Sequence, residues 1–278
     1  MEIIRSVTSL TNPLVKQLAG LRLRKNREGL GMFLAEGART VLEGLHSGAV
    51  PRYLVYAADE SGQSGIKELR NACRGAEVTC LEVSPHILGK ITKKDNPQSV
   101  IGVFRCRSRT LAELQPALTD IFVALDRIRD PGNLGTIIRT ADAVAARGII
   151  LIGDCCDPYS FEAVRASMGS IFNVQIFEGS EIQFSKLAQT WAGNIIGTSP
   201  SAAMTYRELQ CTVGPALVVL GNEQSGISET VEAACTDVVR IPIYGKPDSL
   251  NIGIAAGVIL YAVRELREAA SACSPPLA

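Results

Sequence analysis

The chain has 278 residues, 46% hydrophobic and 20% charged, and its 28 basic side chains balance 28 acidic ones. That composition excludes a disordered chain, a fibrous repeat and a generally basic polyanion binder, so any contact with a nucleic acid must come from a local patch. Eight cysteines and only two histidines, His46 and His86, with no C-x-x-C pair, leave no clustered soft ligands for a structural zinc. No metal is expected, and the thiols read as small, reduced core residues.

The opening Met1-Glu2-Ile3-Ile4-Arg5 has no apolar stretch of the signal-peptide kind. No segment approaches the roughly 20 apolar residues needed to span a bilayer. A cytoplasmic protein without membrane partners is expected.

Two domains are expected, the first over residues 1–107. Its basic stretch from Lys16 to Arg27 holds Arg22, Arg24, Lys25 and Arg27 against one acid, Glu28. A solvated helix face explains them as well as a binding patch does. Helical spacing follows from Ala38 to Leu45, with strands at Tyr53–Tyr56, Val78–Val83 and Val100–Phe104 and with Pro85 and Asn96-Pro97 in the connections. Alternating strands and helices suggest a small α/β sandwich. The polar stretch 108–119, with Pro116, reads as a linker.

The second domain is expected over residues 120–278. Apolar runs at Ile121–Leu125, Ile149–Ile152, Val174–Phe177, Asn194–Gly197, Ala216–Leu220 and Val238–Ile241 lack polar alternation. Strands of a parallel sheet covered by helices on both faces look like this. A mostly parallel sheet with flanking helices is therefore predicted, closed by a helix from Leu250 to Glu268.

Three loops, each after a predicted strand, carry more Gly, Pro, Asn and charge than packing requires, and ligands gather at the carboxyl ends of such strands. The first runs from Asp126 to Gly135 into a helix expected over Thr136–Ala146, with Leu134, Ile138, Ala141 and Ala145 as its core stripe. Arg139 falls on the opposite face with Gly135 and Asp142. Near a helix start it suits a phosphate or a developing oxyanion, and an ion pair with Asp142 is the plainer reading. The second loop, Leu220 to Ser228, has Gly221 where a ligand can approach the backbone, or is a turn that Ser228 caps. It is neither a Walker A loop nor a G-x-G-x-x-G loop. The third, Ile241 to Asn251, offers Ser249 as a cap for the last helix and leaves Asn251 unaccounted for.

In order and spacing these loops resemble the SpoU/TrmH branch of the knotted (SPOUT) RNA methyltransferases. Asp130-Pro131-Gly132-Asn133-Leu134-Gly135-Thr136-Ile137-Ile138-Arg139-Thr140-Ala141 matches that family's D-P-x-N-x-G-x-x-x-R-T-A motif. Gly221, Glu223 and Gly226 match G-x-E-x-x-G. Ile241, Pro242, Gly245, Ser249, Leu250 and Asn251 match the third motif. The segments Ser9–Pro13 and Phe33–Gly37 are similar to parts of the substrate-binding domain often attached to it. Gln224 departs from the pattern, since many members have Gly there.

The resemblance implies a trefoil knot at the carboxyl end, a rare exception to unthreaded chain paths, and a homodimer with its sites near the subunit interface. It implies S-adenosylmethionine as methyl donor, held at Thr198, Gly221, Ile241 and Leu250, and a ribose 2′-hydroxyl as acceptor. Arg139 is then the activating residue, with Asn133, Glu223, Ser249 and Asn251 shaping the site. Arginine is a poor base, so Arg139 is expected to act electrostatically. Structured RNA is the expected partner, ribosomal before transfer RNA, with Arg22, Arg24, Lys25 and Arg27 as its candidate contacts on the first domain. The other readings are a Rossmann-type oxidoreductase, which the missing glycine fingerprint disfavours, base methylation, and an RNA-binding module without turnover.

Overall fold

A computed structural model describes residues 3–210 and 214–273. These fall into two compact units, one of residues 1–106 with 157–173 and one of 107–156 with 174–278.

The first unit opens with β1 (Ile3–Val7), α1 (Pro13–Gly20), α2 (Arg24–Leu30) and β2 (Met32–Glu36). Asn12 caps α1, accepting from the Leu14 amide, and Pro13 fills the first helical position, where no amide is needed. Gly31, at φ 61°, ends α2 in the left-handed conformation. Next come α3 (Ala38–His46), β3 (Tyr53–Ala57), α4 (Ser64–Ala72), β4 (Thr79–Val83), α5 (Pro85–Thr92) and β5 (Val100–Arg105). The five strands form one sheet in the order β1-β4-β3-β5-β2. β1, β4 and β3 run parallel, and β5 runs antiparallel to both β3 and β2.

The second unit begins with β6 (Ser108–Thr110), β7 (Ile121–Asp126), α6 (Pro131–Ala143) and β8 (Gly148–Ile152). The chain then returns to the first unit for residues 157–173, which include α7 (Phe161–Ala166). It resumes with β9 (Gln175–Gly179), α8 (Glu181–Gln189), β10 (Asn194–Thr198), β11 (Met204–Thr205), β12 (Ala216–Leu220), α9 (Glu229–Glu232), β13 (Asp237–Arg240) and α10 (Ile252–Cys273). All eight strands are parallel, in the order β11-β13-β10-β12-β7-β8-β9-β6. Every residue of β7, β8 and β12 is buried, as their unbroken apolar runs require.

Two expectations about domain limits are corrected. The stretch read as a linker contributes β6, which pairs with β9, and its Leu111 and Leu114 enter the second unit's core. An edge strand with three exposed residues shows no apolar pattern, so its polarity resembled a loop. Residues 157–173, expected within 120–278, are built into the first unit. Phe161 joins that unit's core with Val15, Leu18 and Leu88. Tyr159 stacks 4.9 Å from Phe33, and Phe172 lies 4.6 Å from Phe104 edge to face. Each such aromatic buries enough apolar surface to contribute about 2–3 kcal/mol.

Among the described residues no helix is long and apolar enough to cross a membrane, and no group of three or more His, Cys, Asp or Glu side chains is placed to hold a metal ion.

Candidate active site

The three loops leave the carboxyl ends of neighbouring strands. β13 pairs with β10, β10 with β12, and β12 with β7, all in parallel register. Thr198 closes β10, Gly221 follows β12, Ile241 follows β13, and the Asp126 loop follows β7. Thr198 donates its hydroxyl proton to the Val219 carbonyl at 3.1 Å, fastening β10 to β12 at this rim.

Helix α6 starts earlier than its apolar stripe suggested. Asp130 caps it through the Asn133 amide at 2.6 Å, and Pro131 occupies its first position. Arg139 therefore lies in the third turn, away from the unpaired amides of the helix start, which corrects the expected placement. Leu134, Ile138 and Ala141 are buried as expected, and so is Gly135, which had been assigned to the Arg139 face. Ala145 lies beyond the helix at φ 52°, as the Ala146 amide reaches back to the Ala141 carbonyl. Arg139 is exposed and enters none of the ion pairs of the described residues, so the alternative of an ion pair with Asp142 is not realised.

Glu223 joins the second loop to the first. Its carboxylate accepts from the Arg129 and Asp130 amides, both at 3.4 Å, and from the Asn133 side-chain amide at 3.2 Å. Asn133 accepts in turn from the Asn251 side-chain amide at 2.9 Å. Asn251, not Ser249, caps α10: its Oδ1 accepts from the Gly253 and Ile254 amides at 2.9 and 3.4 Å. Ser249 is exposed on the loop ahead of that cap. Asn133, Glu223 and Asn251 are thus brought together. Arg139 and Ser249 make no hydrogen bond to that chain of side chains.

Gly221 is required for a different reason from the one expected. A Cβ there would stand 2.1 Å from both the Gly226 carbonyl carbon and the Ile227 nitrogen. The loop's own return strand fills the space that had been assigned to a ligand. Asn222 and Gly226 exchange backbone hydrogen bonds, both at 2.9 Å, closing the loop as a tight hairpin. Gln224 is exposed, is not among the positive-φ residues, and donates its amide to Asn222 Oδ1 at 2.9 Å, so its side chain is compatible with the turn.

The sequence reading passed over Asp126, Arg127 and Asn222. Asp126 is fully buried at the end of β7. An acid closing an otherwise apolar strand, followed at once by an arginine, was the available signal. Two thiols near the sheet are held protonated, chiefly by burial: Cys155 is pushed up to about 11 and Cys235 to about 12.

The basic stretch of the first unit separates into different roles. Arg27 is 5% exposed; it holds Asp157 at 2.5 Å and donates to the Leu21 and Arg22 carbonyls at 2.8 Å. Its expected RNA contact is corrected, because a guanidinium enclosed by four acceptor contacts has no face left for a phosphate. Arg22 lies 5.2 Å over the Phe161 ring and 3.8 Å from Glu162, while Arg24 is paired with Glu28 at 2.8 Å one helical turn on. Lys25 is exposed.

Known proteins resemble this chain in sequence and in fold. Residues 120–261 match the model of the SpoU rRNA Methylase family, and residues 12–102 match that of the MRM3-like substrate binding domain. The chain belongs to the SpoU rRNA methylase family. It is 33% identical over 270 residues to a Synechocystis protein named as an uncharacterized tRNA/rRNA methyltransferase, covering 96% of each chain. It is 30% identical over 279 residues to the 23S rRNA (uridine(2479)-2′-O)-methyltransferase of Streptomyces viridochromogenes, covering 98% of this chain and 96% of that one. The AdoMet-bound rRNA methyltransferase from Sinorhizobium meliloti superposes with a TM-score of 0.86 at 38% identity, covering 94% of this chain and 98% of that one.

Proposed function

We propose that this chain transfers a methyl group from S-adenosylmethionine to a ribose 2′-hydroxyl of ribosomal RNA, as a cytoplasmic homodimer. The observation that carries the reading is the side-chain path Glu223–Asn133–Asn251, which ties three distant motifs into one rim at the ends of parallel strands. The AdoMet-bound Sinorhizobium meliloti relative and the Streptomyces viridochromogenes rRNA relative support the choice of donor and acceptor.

The donor to be held is a flat adenosine carrying a cationic sulfur. The rim suits it: Gly221, Ile241 and Leu250 offer backbone amides and carbonyls, Ile241 and Leu250 leave apolar side chains partly exposed, and Glu223 supplies a carboxylate. Gly221, Ile241 and Leu250 hold the donor through their backbones, and Thr198 keeps the β10 and β12 ends in place beneath it. When bound, S-adenosylmethionine supplies an activated methyl group on a positively charged sulfur, which a nucleophile takes without help from a metal.

The remaining barrier lies with the acceptor, because a ribose hydroxyl is a weak acid. Arg139, which enters no ion pair among the described residues, stabilises the ribose oxygen as its proton passes to water and the methyl leaves the sulfonium, which departs as a neutral thioether; the guanidinium also grips a neighbouring phosphate with its remaining donors. Asn133, Glu223 and Asn251 fix the loops around the reacting atoms, with Ser249 exposed beside them to meet the acceptor, so positioning supplies much of the acceleration. On the first unit, Arg22, Arg24 and Lys25 contribute to RNA affinity through phosphate contacts.

The strand order β13-β10-β12-β7, with sequence neighbours separated in the sheet, supports the threaded chain path expected of the family. Leu250, Ile254 and Tyr261 expose 39, 58 and 50% of their surface on α10 and the turn before it, an apolar face suited to a second copy beside the site.

The test is methyl transfer from labelled donor to ribosomal and transfer RNA, with the modified nucleotide mapped. A 2′-O-methylated ribosomal nucleotide is the expected product. Label in transfer RNA alone would replace the acceptor, and label on a base would overturn the reading.

A further inference from the structure

We propose that Asp126 and Arg127 are positioning residues for methyl transfer: together they lock the Gly221–Ser228 hairpin in its donor-binding shape. The inference rests on the methyltransferase reading above. It adds a role for two residues outside the three sequence motifs.

The geometry is a clamp closed on three sides. Asp126 is buried at the end of β7, and its carboxylate takes the Arg127 guanidinium in a bidentate pair, Nε at 2.9 Å and Nη2 at 3.0 Å. One of the same oxygens accepts from the Ser228 amide at 2.7 Å, at the downstream foot of the hairpin. Arg127 Nη2 reaches the Gly226 carbonyl at 3.4 Å, within the return strand. Asn222, at the upstream foot, donates its side-chain amide to the Arg127 carbonyl at 2.8 Å while its Oδ1 accepts from the Gln224 and Ser225 amides at 2.9 and 3.1 Å. Both feet and the return strand are therefore held by two consecutive residues of the neighbouring strand end.

Arg127 occupies this position against its backbone preference. Its φ is 54°, in the left-handed region that a non-glycine side chain adopts at a cost. A glycine would relieve that strain, so the guanidinium is what the position supplies. The paired carboxylate raises the guanidinium's pKa further, so Arg127 stays charged.

A hairpin free to breathe presents the backbone at Gly221 correctly only part of the time, and apparent donor affinity falls by that fraction. Charge-assisted contacts of this kind set the expected weakening at about tenfold or more. Arg127→Gly, Asp126→Asn and the double variant are to be compared with the wild type by calorimetry with S-adenosylmethionine, alongside thermal unfolding. The expected result is weaker donor binding in each single variant. The double variant should be little worse than either single, since all three break one device. KM for the donor should rise more than kcat falls, and Arg127→Lys should restore part of the loss. Unchanged donor affinity in a folded Arg127→Gly protein would overturn the clamp, as would additive losses in the double variant. If a single variant unfolds, the folded Arg127→Lys protein decides: wild-type donor affinity there overturns the bidentate lock, and weakened affinity supports it. A wild-type protein that binds no S-adenosylmethionine refutes the methyltransferase reading itself, an outcome separate from loss in the variants alone.

Discussion

Asn251 donates its side-chain amide to Asn133 Oδ1 at 2.9 Å across 118 residues of chain, and Asn133 passes its own amide to Glu223. Asn251 also caps α10, so a change at the start of that helix is felt in both other loops. Asn133→Ala removes the middle of the path. The expected outcome is a stability loss of about 1 kcal/mol, for one or two side-chain hydrogen bonds, with methyl transfer reduced at least tenfold, about the effect of 1.4 kcal/mol on a barrier. Urea unfolding and initial rates of transfer check the two effects separately.

Arg139 is exposed and enters no ion pair among the described residues, so its removal should leave the fold intact. Arg139→Ala is expected to lower kcat by about 10²–10³-fold, the range for loss of a donor to a developing oxyanion, with little change in RNA affinity. Arg139→Lys keeps the charge and loses the fork. Near-normal turnover in that variant would rule out bidentate recognition.

Gly221→Ala should abolish donor binding, because a Cβ 2.1 Å from the Gly226 and Ile227 backbone prevents the hairpin from closing. Calorimetry with S-adenosylmethionine reads this directly. An alanine variant that binds normally would mean that the hairpin relaxes without consequence.

Arg27 and its basic neighbours should separate cleanly. Arg27→Ala strands Asp157, whose side chain is 13% exposed, and is expected to cost about 3–5 kcal/mol of stability, as for other broken buried pairs. Charge reversal at exposed Lys25 should change stability by less than about 0.5 kcal/mol, and reversal at Arg22, Arg24 or Lys25 should weaken RNA binding and flatten its salt dependence. Denaturant titration and RNA binding at two salt concentrations distinguish the roles.

Buried Cys155 and half-buried Cys235 give a pH signature. In the unfolded chain a cysteine ionises near 9.0, while native Cys155 keeps its proton to about 11 and Cys235 to about 12. Between those values the unfolded state has lost protons that the native state retains, so stability falls as pH rises from 9. At about 1.4 kcal/mol per pH unit, Cys155 contributes on the order of 3 kcal/mol to that fall and Cys235 on the order of 4 kcal/mol. Cys155 should resist alkylation at pH 8 until the protein unfolds. Rapid labelling of Cys155 in the native protein at that pH would contradict the burial.

The sheet of the second unit was readable because its strands are buried on both faces, and apolar runs such as Ala216–Leu220 admit few other structures. β2 was missed as a strand, and β6 was hidden by its polarity. The start of α6 was misplaced because the apolar stripe dominates the pattern, while the cap at Asp130 and the proline after it determine the first turn. The motif residues Asn133, Glu223 and Asn251 were identified as a set, but their connection was not, since periodicity says nothing about which side chains meet between loops. Arg27 shows the converse error: a basic run suggests a shared surface, whereas one member is buried and paired with an acid 130 residues away.

Residues 157–173 complete the first unit from the middle of the second, so the polypeptide passes between the two bodies three times. Neither body is a detachable module at the gene level. A fragment ending at Cys106 would leave Phe33 and Phe104 without Tyr159 and Phe172, and Arg27 without its counter-ion. A chimera that exchanges RNA specificity between relatives must therefore graft two separate stretches of coding sequence, or it inherits an uncovered aromatic face and an invitation to aggregate.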